Sequence, residues 1–305
     1  MTQHDDKAHT GKLLRSKNGF NVISCERCKF PHVAPVPTAD ELANVYRHDY
    51  YATEKPLYIQ RYREDQAWWD LVNDDRLDDL AVAARIETGR VLDVGSGPGL
   101  FLERAQGRGF SVLGIEPSSQ AAADSRARGI PIVEDFLDER TAPGLGIFDC
   151  VHSAAVFEHL PDPGGMLDIL HGLLRPGGAL IIVVPNDENP IQHAAIATQG
   201  LDPWWIAPPH HLNYFNTVTL PPFIAAHGFR VVDTQTSFPI DQFLLMGDRY
   251  IGDDALGRTV HKRRMAFELA MRDAGQNAAR RAMQRTQASA GIGREVIVVA
   301  VRDDG

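Results

Sequence analysis

The sequence predicts an α/β fold built around a parallel sheet, and three observations predict it. Short aliphatic runs alternate with helix-forming stretches between residues 90 and 237, as βαβ units require. The runs RVLDV, ALIIVV and EVIVVAV are aliphatic stretches, interrupted only by Arg90, Asp93 and Glu295, the pattern of strands buried on both faces. A glycine-rich turn, VLDVGSGPG, leads straight from the first of these strands into a helix.

Taken in order, residues 1–60 are irregular, holding two of the three cysteines, several histidines, and tyrosines and prolines out of any period. Residues 61–88 predict an acidic helix. Trp68, Trp69, Val72, Leu77 and Leu80 recur at helix-like spacing, with Gly89 as the stop. Strands are expected at 90–94, 111–115, 130–133, 148–153, 179–184, 230–234 and 295–301. Between the last two lies an insertion, residues 238–289. Its stretch 256–288 is rich in Ala, Arg, Met and Gln and predicts helix, divided at Gly275. The expected organisation is therefore an N-terminal segment, 1–60, covering the active site, and a linking helix, 61–88. A core of 89–237 with 290–305 follows, carrying the helical insertion 238–289.

Composition narrows the function. The chain has 305 residues, with 31 basic against 40 acidic ones, a net charge of −9. That balance argues against a general nucleic-acid binder, which gains affinity by neutralising phosphates. Three cysteines are too few for a disulfide framework and fit a reducing compartment. The longest apolar runs, such as 179–184, are far short of a membrane span. The N-terminus MTQHDDKAHTGK has no apolar centre and does not predict a secretory signal. A cytoplasmic protein is expected, with a small-molecule substrate.

The glycine turn points to a nucleoside ligand. Gly95, Gly97 and Gly99 let the backbone turn tightly and approach a ligand closely. The second strand ends in Glu116, where a carboxylate can take both ribose hydroxyls. The choice lies between a dinucleotide and S-adenosylmethionine, beside the plainer reading of a turn that only joins strand to helix. A dinucleotide site wants a small residue where Leu100 stands. Asp93 would repel a pyrophosphate on the helix N-terminus but would suit the ammonium and sulfonium of S-adenosylmethionine.

VLDVGSGPG, IEP, VEDF, FDCVHSAAVFEHLPDP and LLRPGGALIIVVPN together resemble, in order, the motifs of class I S-adenosylmethionine-dependent methyltransferases. The resemblance covers about 89–235 and the last strand. It implies a Rossmann-like, seven-stranded, mostly parallel sheet with an antiparallel last strand. It also implies S-adenosylmethionine as cofactor and S-adenosylhomocysteine as product. By resemblance Gly95 and Gly97 line the methionine part, Glu116 holds the ribose, and Asp135 and Phe136 hold the adenine. Ser96, Gly99, Pro117 and Ala154 complete the expected cofactor set. The family usually joins its last two strands by a short hairpin, so the insertion is a departure on the acceptor side. The flanks, including CERCKFPHVAPVPTADELANVYRHDYY, are similar to a branch associated with polysaccharide and lipopolysaccharide biosynthesis clusters.

Methyl transfer to a hydroxyl needs a base. Glu158 and His159 follow the fourth strand and either wall the transfer site, with His159 as base, or only close a loop. PWWIAPPHHLNYF brings His210 and His211 among Trp204, Trp205, Tyr214 and Phe215. It predicts an acceptor pocket with His211 ahead, against simple packing over the sheet. Tyr50, Tyr51 and Tyr58 are candidates for the cover.

Cys25 and Cys28 form a lone CxxC, the spacing of one zinc knuckle, which His4, His9 or His32 would have to complete. An inert remnant is the alternative. Between Arg258 and Arg285 stand eight basic residues against Glu268 and Asp273. They suit an acidic or nucleotide-activated acceptor, or else pair with the acidic helix within the chain or across a homodimer. The expected activity is methyl transfer to a small molecule, at a hydroxyl oxygen of a sugar or sugar derivative. N- or C-methylation, including a quinone-type acceptor, and a non-catalytic cofactor-binding subunit are the alternatives.

Overall fold

The computed structural model describes residues 9–38 and 58–303. Tyr50, Tyr51 and His4 lie outside the described residues. The N-terminal part is not irregular. It forms an antiparallel sheet of β1 (Gly11–Lys17), β2 (Phe20–Cys25) and β3 (Pro31–Ala34), in that order. Asn18 and Gly19, both at positive φ, make the tight turn between β1 and β2.

The acidic helix is two helices, α1 (Tyr58–Glu64) and α2 (Gln66–Ala84), broken at Asp65. The core then alternates as expected: β4 (Arg90–Val94), α3 (Leu100–Gly107), β5 (Ser111–Ile115), α4 (Ser119–Ala127), β6 (Ile132–Val133) and β7 (Phe148–Ala154). It continues with α5 (Pro163–Leu173), β8 (Leu174–Pro185), α6 (Pro190–Gln199), α7 (Leu220–Ala225) and β9 (Phe229–Thr236). The short α8 (Gln242–Leu245) precedes the insertion helices α9 (Asp254–Asp273) and α10 (Asn277–Ser289), and β10 (Glu295–Arg302) ends the sheet. The strand order is β6-β5-β4-β7-β8-β10-β9, with β10 antiparallel to both neighbours.

The two-residue period of β8 sends Leu180, Ile182 and Val184 to one face, with Leu167 and Leu170 of α5 and Ile224 of α7. Ala179, Ile181 and Val183 meet Leu77 and Leu80 of α2 and Leu102 of α3 on the other. Burial on both faces makes these strands continuously aliphatic. The parallel strands all end on one edge, and there the loops after β4, β5 and β7 meet.

The arginines of the basic insertion from Arg258 to Arg285 are paired inside the chain. Arg258 binds Asp65, with Nη2 2.6 Å from Oδ1, and also Glu64. Arg280 pairs with Asp75, Arg281 with Asp75 and Asp79, and Arg285 with Asp233. Glu268 takes Trp68 Nε1 at 2.8 Å and Arg264 at 3.2 Å. These contacts clamp α9 and α10 onto α2. Of the two readings of the patch, pairing with the acidic helix within the chain is the one these contacts favour, and none of 258–285 lines the large cavity described next.

Candidate active site

A cavity of about 2450 Å³ opens at the carboxyl edge of the sheet, where ligands bind in this architecture. Gly95, Ser96, Gly97, Glu116, Pro117, Asp135, Phe136 and Ala154 all line it. Gly95 has φ +66°, and a Cβ there would stand 2.5 Å from Val156 Cγ2, so this position requires glycine. Glu116 braces the turn: Gly97 N donates to its Oε2 and Ser118 N to its Oε1, each at 2.9 Å. Burial pushes the Glu116 carboxyl up to about 7, against the pull of those two bonds, with Asp93 adding to the rise. The free lone pairs of a carboxylate held this way suit two hydroxyl donors.

Asp93 does something other than expected. It does not line the cavity. It sits opposite His152 on the neighbouring strand β7, and its Oδ1 lies 2.7 Å from His152 Nδ1. The imidazole stacks on Phe101, with Arg76 Nη1 3.3 Å from Nε2. Burial lowers the His152 pKa despite the acid beside it. Asp93 thus ties β4 to β7 beneath the turn. Gly99 is likewise absent from the wall and packs against Ser125.

Asp135 accepts from Phe136 N through Oδ1 and from the exposed Arg140 through Oδ2. Both Asp135 and Phe136 stand on the cavity wall, where an adenine edge and ring face would need them.

The base candidates, far apart in sequence, converge. His159 lines the cavity. Its Nδ1 lies 2.6 Å from the carbonyl oxygen of His210, its Nε2 3.8 Å from Glu158 Oε1, and its ring meets that of His211 edge-on at 5.0 Å. A carbonyl only accepts, so the neutral His159 ring carries its proton on Nδ1 and its lone pair on Nε2. Glu158 is buried, and its carbonyl accepts from Leu212 N and Asn213 N. Neither Glu158, His210 nor His211 lines the cavity. His159 therefore moves ahead of His211, which stands behind it.

The aromatic loop is a plug rather than a pocket wall. Trp205, Ile206, Leu212 and Tyr214 are buried with Val22 and Val33 of the N-terminal sheet, and Phe215 enters the main core. Apolar side chains that the small sheet cannot bury alone are covered by this loop. The lone CxxC is completed by residues distant in sequence: ligand atoms of His9, Cys25, Cys28 and His32 all lie within 4.8 Å of one another.

The residues fit S-adenosylmethionine. A buried carboxylate ends the second strand, two close-approach glycines face it, and Ser96 Oγ is buried without a hydrogen-bond partner among the described residues. No basic side chain stands in 93–99 to meet a phosphate.

Comparison with known proteins agrees with this geometry. The chain is 32% identical over 138 residues to a ubiquinone biosynthesis O-methyltransferase of Xylella fastidiosa, which covers 39% of this chain and 54% of that protein. It is 26% identical over 224 residues to the C-methyltransferase NovU of Streptomyces niveus, 72% of this chain and 48% of that one. The chain thus spans about half the length of these curated relatives. Among solved structures, magnesium protoporphyrin IX methyltransferase from Synechocystis with bound S-adenosylhomocysteine shares the fold. Its TM-score is 0.53 at 14% identity, over 85% of this chain and 99% of that one. A methyltransferase from Archaeoglobus fulgidus aligns at TM-score 0.52 and 14% identity, over 80% and 99%. The profile of the methyltransferase-domain family matches residues 61–234, more than half of the chain, and takes in both the glycine turn and the His159 loop. The chain belongs to the class I S-adenosylmethionine-dependent methyltransferases.

Proposed function

We propose that the protein methylates a hydroxyl oxygen of a small-molecule acceptor, a sugar or sugar derivative, with His159 as the base. The observation that carries this reading is the place of His159: an imidazole on the cavity wall whose Nδ1 lies 2.6 Å from the His210 carbonyl oxygen, a contact that puts the ring proton on Nδ1 and the lone pair on Nε2. S-adenosylmethionine supplies a methyl group on a cationic sulfur. Gly95, Gly97 and Glu116 would hold it, with Asp135 and Phe136 at the adenine. As the acceptor oxygen would bond to the methyl carbon, with the carbon–sulfur bond breaking to leave S-adenosylhomocysteine, its proton would pass to His159 Nε2. The resulting imidazolium keeps its bond to His210 O, and the Glu158 carboxylate stands 3.8 Å away to favour the charge. Such a base contributes about 10²–10⁴-fold to rate. Three unpaired cysteines are consistent with the cytoplasm, and among the described residues no helix is long and apolar enough to cross a membrane.

Methylation at an acidified carbon is the second reading. The match to a C-methyltransferase reaches 72% of this chain, well beyond the 39% shared with the O-methyltransferases, and a carbon acceptor needs a base in the same place. Incubation with methyl-labelled S-adenosylmethionine and fractionated cell extract tests both. Label in a nucleotide-sugar or glycan fraction, in a methyl group that survives mild acid and base but leaves as methyl iodide in hot hydriodic acid, as an O-methyl ether does, supports the first reading. A carbon-bound methyl supports the second. Label confined to a lipid or quinone fraction overturns the sugar acceptor.

A further inference from the structure

We propose that His9, Cys25, Cys28 and His32 form a closed tetrahedral zinc site whose ion fixes strand β3, and through it the loop that carries His159. The four ligands come from separate places: His9 ahead of β1, Cys25 at the end of β2, Cys28 in the turn that follows, and His32 within β3. His9 Nδ1 lies 3.0 Å from His32 Nε2, 3.6 Å from Cys25 Sγ and 3.4 Å from Cys28 Sγ. Zinc–sulfur and zinc–nitrogen bonds at tetrahedral angles give edges of about 3.3 Å for N···N and about 3.5 Å for S···N. The three separations from His9 are close to those edges, the other ligand atoms lie within 4.8 Å of one another, and a single ring nitrogen, with one proton or one lone pair, cannot satisfy three such contacts at once.

The surroundings are those of ligands. His32 is buried, and its Nδ1 lies 2.8 Å from the Val33 carbonyl, so that Nδ1 carries the proton and Nε2 faces the cluster with its lone pair. This is the second-sphere bond a metal-bound histidine normally makes. Cys28 N donates to Cys25 Sγ at 3.4 Å, which fixes the direction of that sulfur. Four protein ligands leave no open position, so the ion is structural rather than catalytic. Binding displaces one proton from each cysteine thiol.

The site reaches the active-site loop through backbone. Val33 N donates to Leu212 O at 2.8 Å, Tyr214 N donates to Pro31 O at 2.9 Å, and His32 bridges to Asn213. Asn213 Nδ2 in turn donates to Phe157 O and Leu160 O, on either side of Glu158 and His159. The three-stranded sheet has little core of its own, only Val22 and Val33 being fully buried with the plug loop, so the ion is what holds its strand ends together.

The test uses the full-length chain, purified reduced, with zinc content, zinc affinity and amide exchange as readouts. About one zinc per chain is expected. His9→Ala, which truncates an exposed side chain, should weaken affinity at least about 100-fold, beyond the usual outer-sphere effect. Cobalt substitution should give thiolate charge-transfer and tetrahedral d–d bands. Removing zinc from the wild type with a chelator should speed exchange of the Val33 and Tyr214 amides, and zinc should restore it. This wild-type comparison stands even if Cys28→Ser fails to fold. Failure of reduced wild type to take up added zinc, or full retention in Cys25→Ser/Cys28→Ser, overturns the site. Unchanged exchange on zinc removal overturns the link to the loop. None of these readouts involves methyl transfer, so they fail independently of the proposed reaction.

Discussion

His159 Nδ1 stands 2.6 Å from the carbonyl oxygen of His210, a residue fifty-one positions further along the chain. The two loops that carry them follow different strands, β7 and β8, and meet only because those strands are parallel neighbours ending on one edge. The contact uses the backbone of His210 and not its imidazole. Of the three histidines here, one is oriented by another's peptide group and packed by the ring of the third.

That division of labour separates the variants. His159→Ala should lower kcat by about 10²–10⁴-fold, with S-adenosylhomocysteine affinity unchanged by calorimetry. His210→Ala keeps the carbonyl and should leave turnover nearly intact. His211→Ala removes the ring beside His159 and should cost about tenfold through misorientation. Equal losses at 159 and 210 would show that the His210 side chain is the active group instead.

Glu116 makes cofactor binding depend on pH. Its folded pKa of about 7 lies above the ordinary 4.5 because burial disfavours the charge. The stability tied to the neutral form is therefore complete at low pH and lost as pH rises through about 7. Ribose hydroxyls donate best to the carboxylate, so the cofactor strengthens binding where the empty site is weakest. S-adenosylhomocysteine should bind more tightly at about pH 8 than at about pH 6 and release a proton near neutrality. Calorimetry in two buffers of different ionisation enthalpy measures that proton. A flat affinity across this range, or full affinity in Glu116→Gln, would be incompatible with the assignment.

The central sheet was legible because strands buried on both faces have no polar period to obscure them, and the glycine turn and Glu116 are local in sequence. What escaped was long-range or masked by exposure. Strand β1, GKLLRSK, is mostly exposed and shows no alternation, yet the Asn18-Gly19 pair between two short β-prone runs is a hairpin signal that could have found it. Asp93 seemed aimed at a ligand because its register partner His152 lies across a strand pairing that no local pattern reveals. Nothing in PWWIAPPHHLNYF tells a pocket wall from a plug. Only the missing core of the N-terminal sheet explains which it is.

The clamp between the acidic helix and the insertion bears on stability rather than turnover. Arg280 is 2% exposed and rests on Asp75 and Glu268. Asp75→Ala leaves that guanidinium and Arg281 short of a counter-charge in the interior, a loss of about 3–5 kcal/mol. Chemical denaturation should record it, while kcat at a temperature where the variant stays folded should match wild type. A fall in acceptor affinity with unchanged stability would instead return the insertion to the acceptor site.

Gly95 offers the sharpest separation of backbone strain from side-chain clash. Its φ of +66° costs an alanine about 1–2 kcal/mol by itself, and the new Cβ would stand 2.5 Å from Val156 Cγ2. Gly95→Ala should therefore lower both stability and S-adenosylhomocysteine affinity. Adding Val156→Ala removes the clash and leaves the strained dihedral, so the double variant should recover part of the stability lost by Gly95→Ala, beyond what additivity gives. Affinity should recover less, because the displaced Gly95 peptide borders the ligand and Gly97 N must still reach Glu116. Strict additivity of the two substitutions in denaturation would mean that the turn relaxes away from Val156, and that dihedral strain alone makes glycine necessary there.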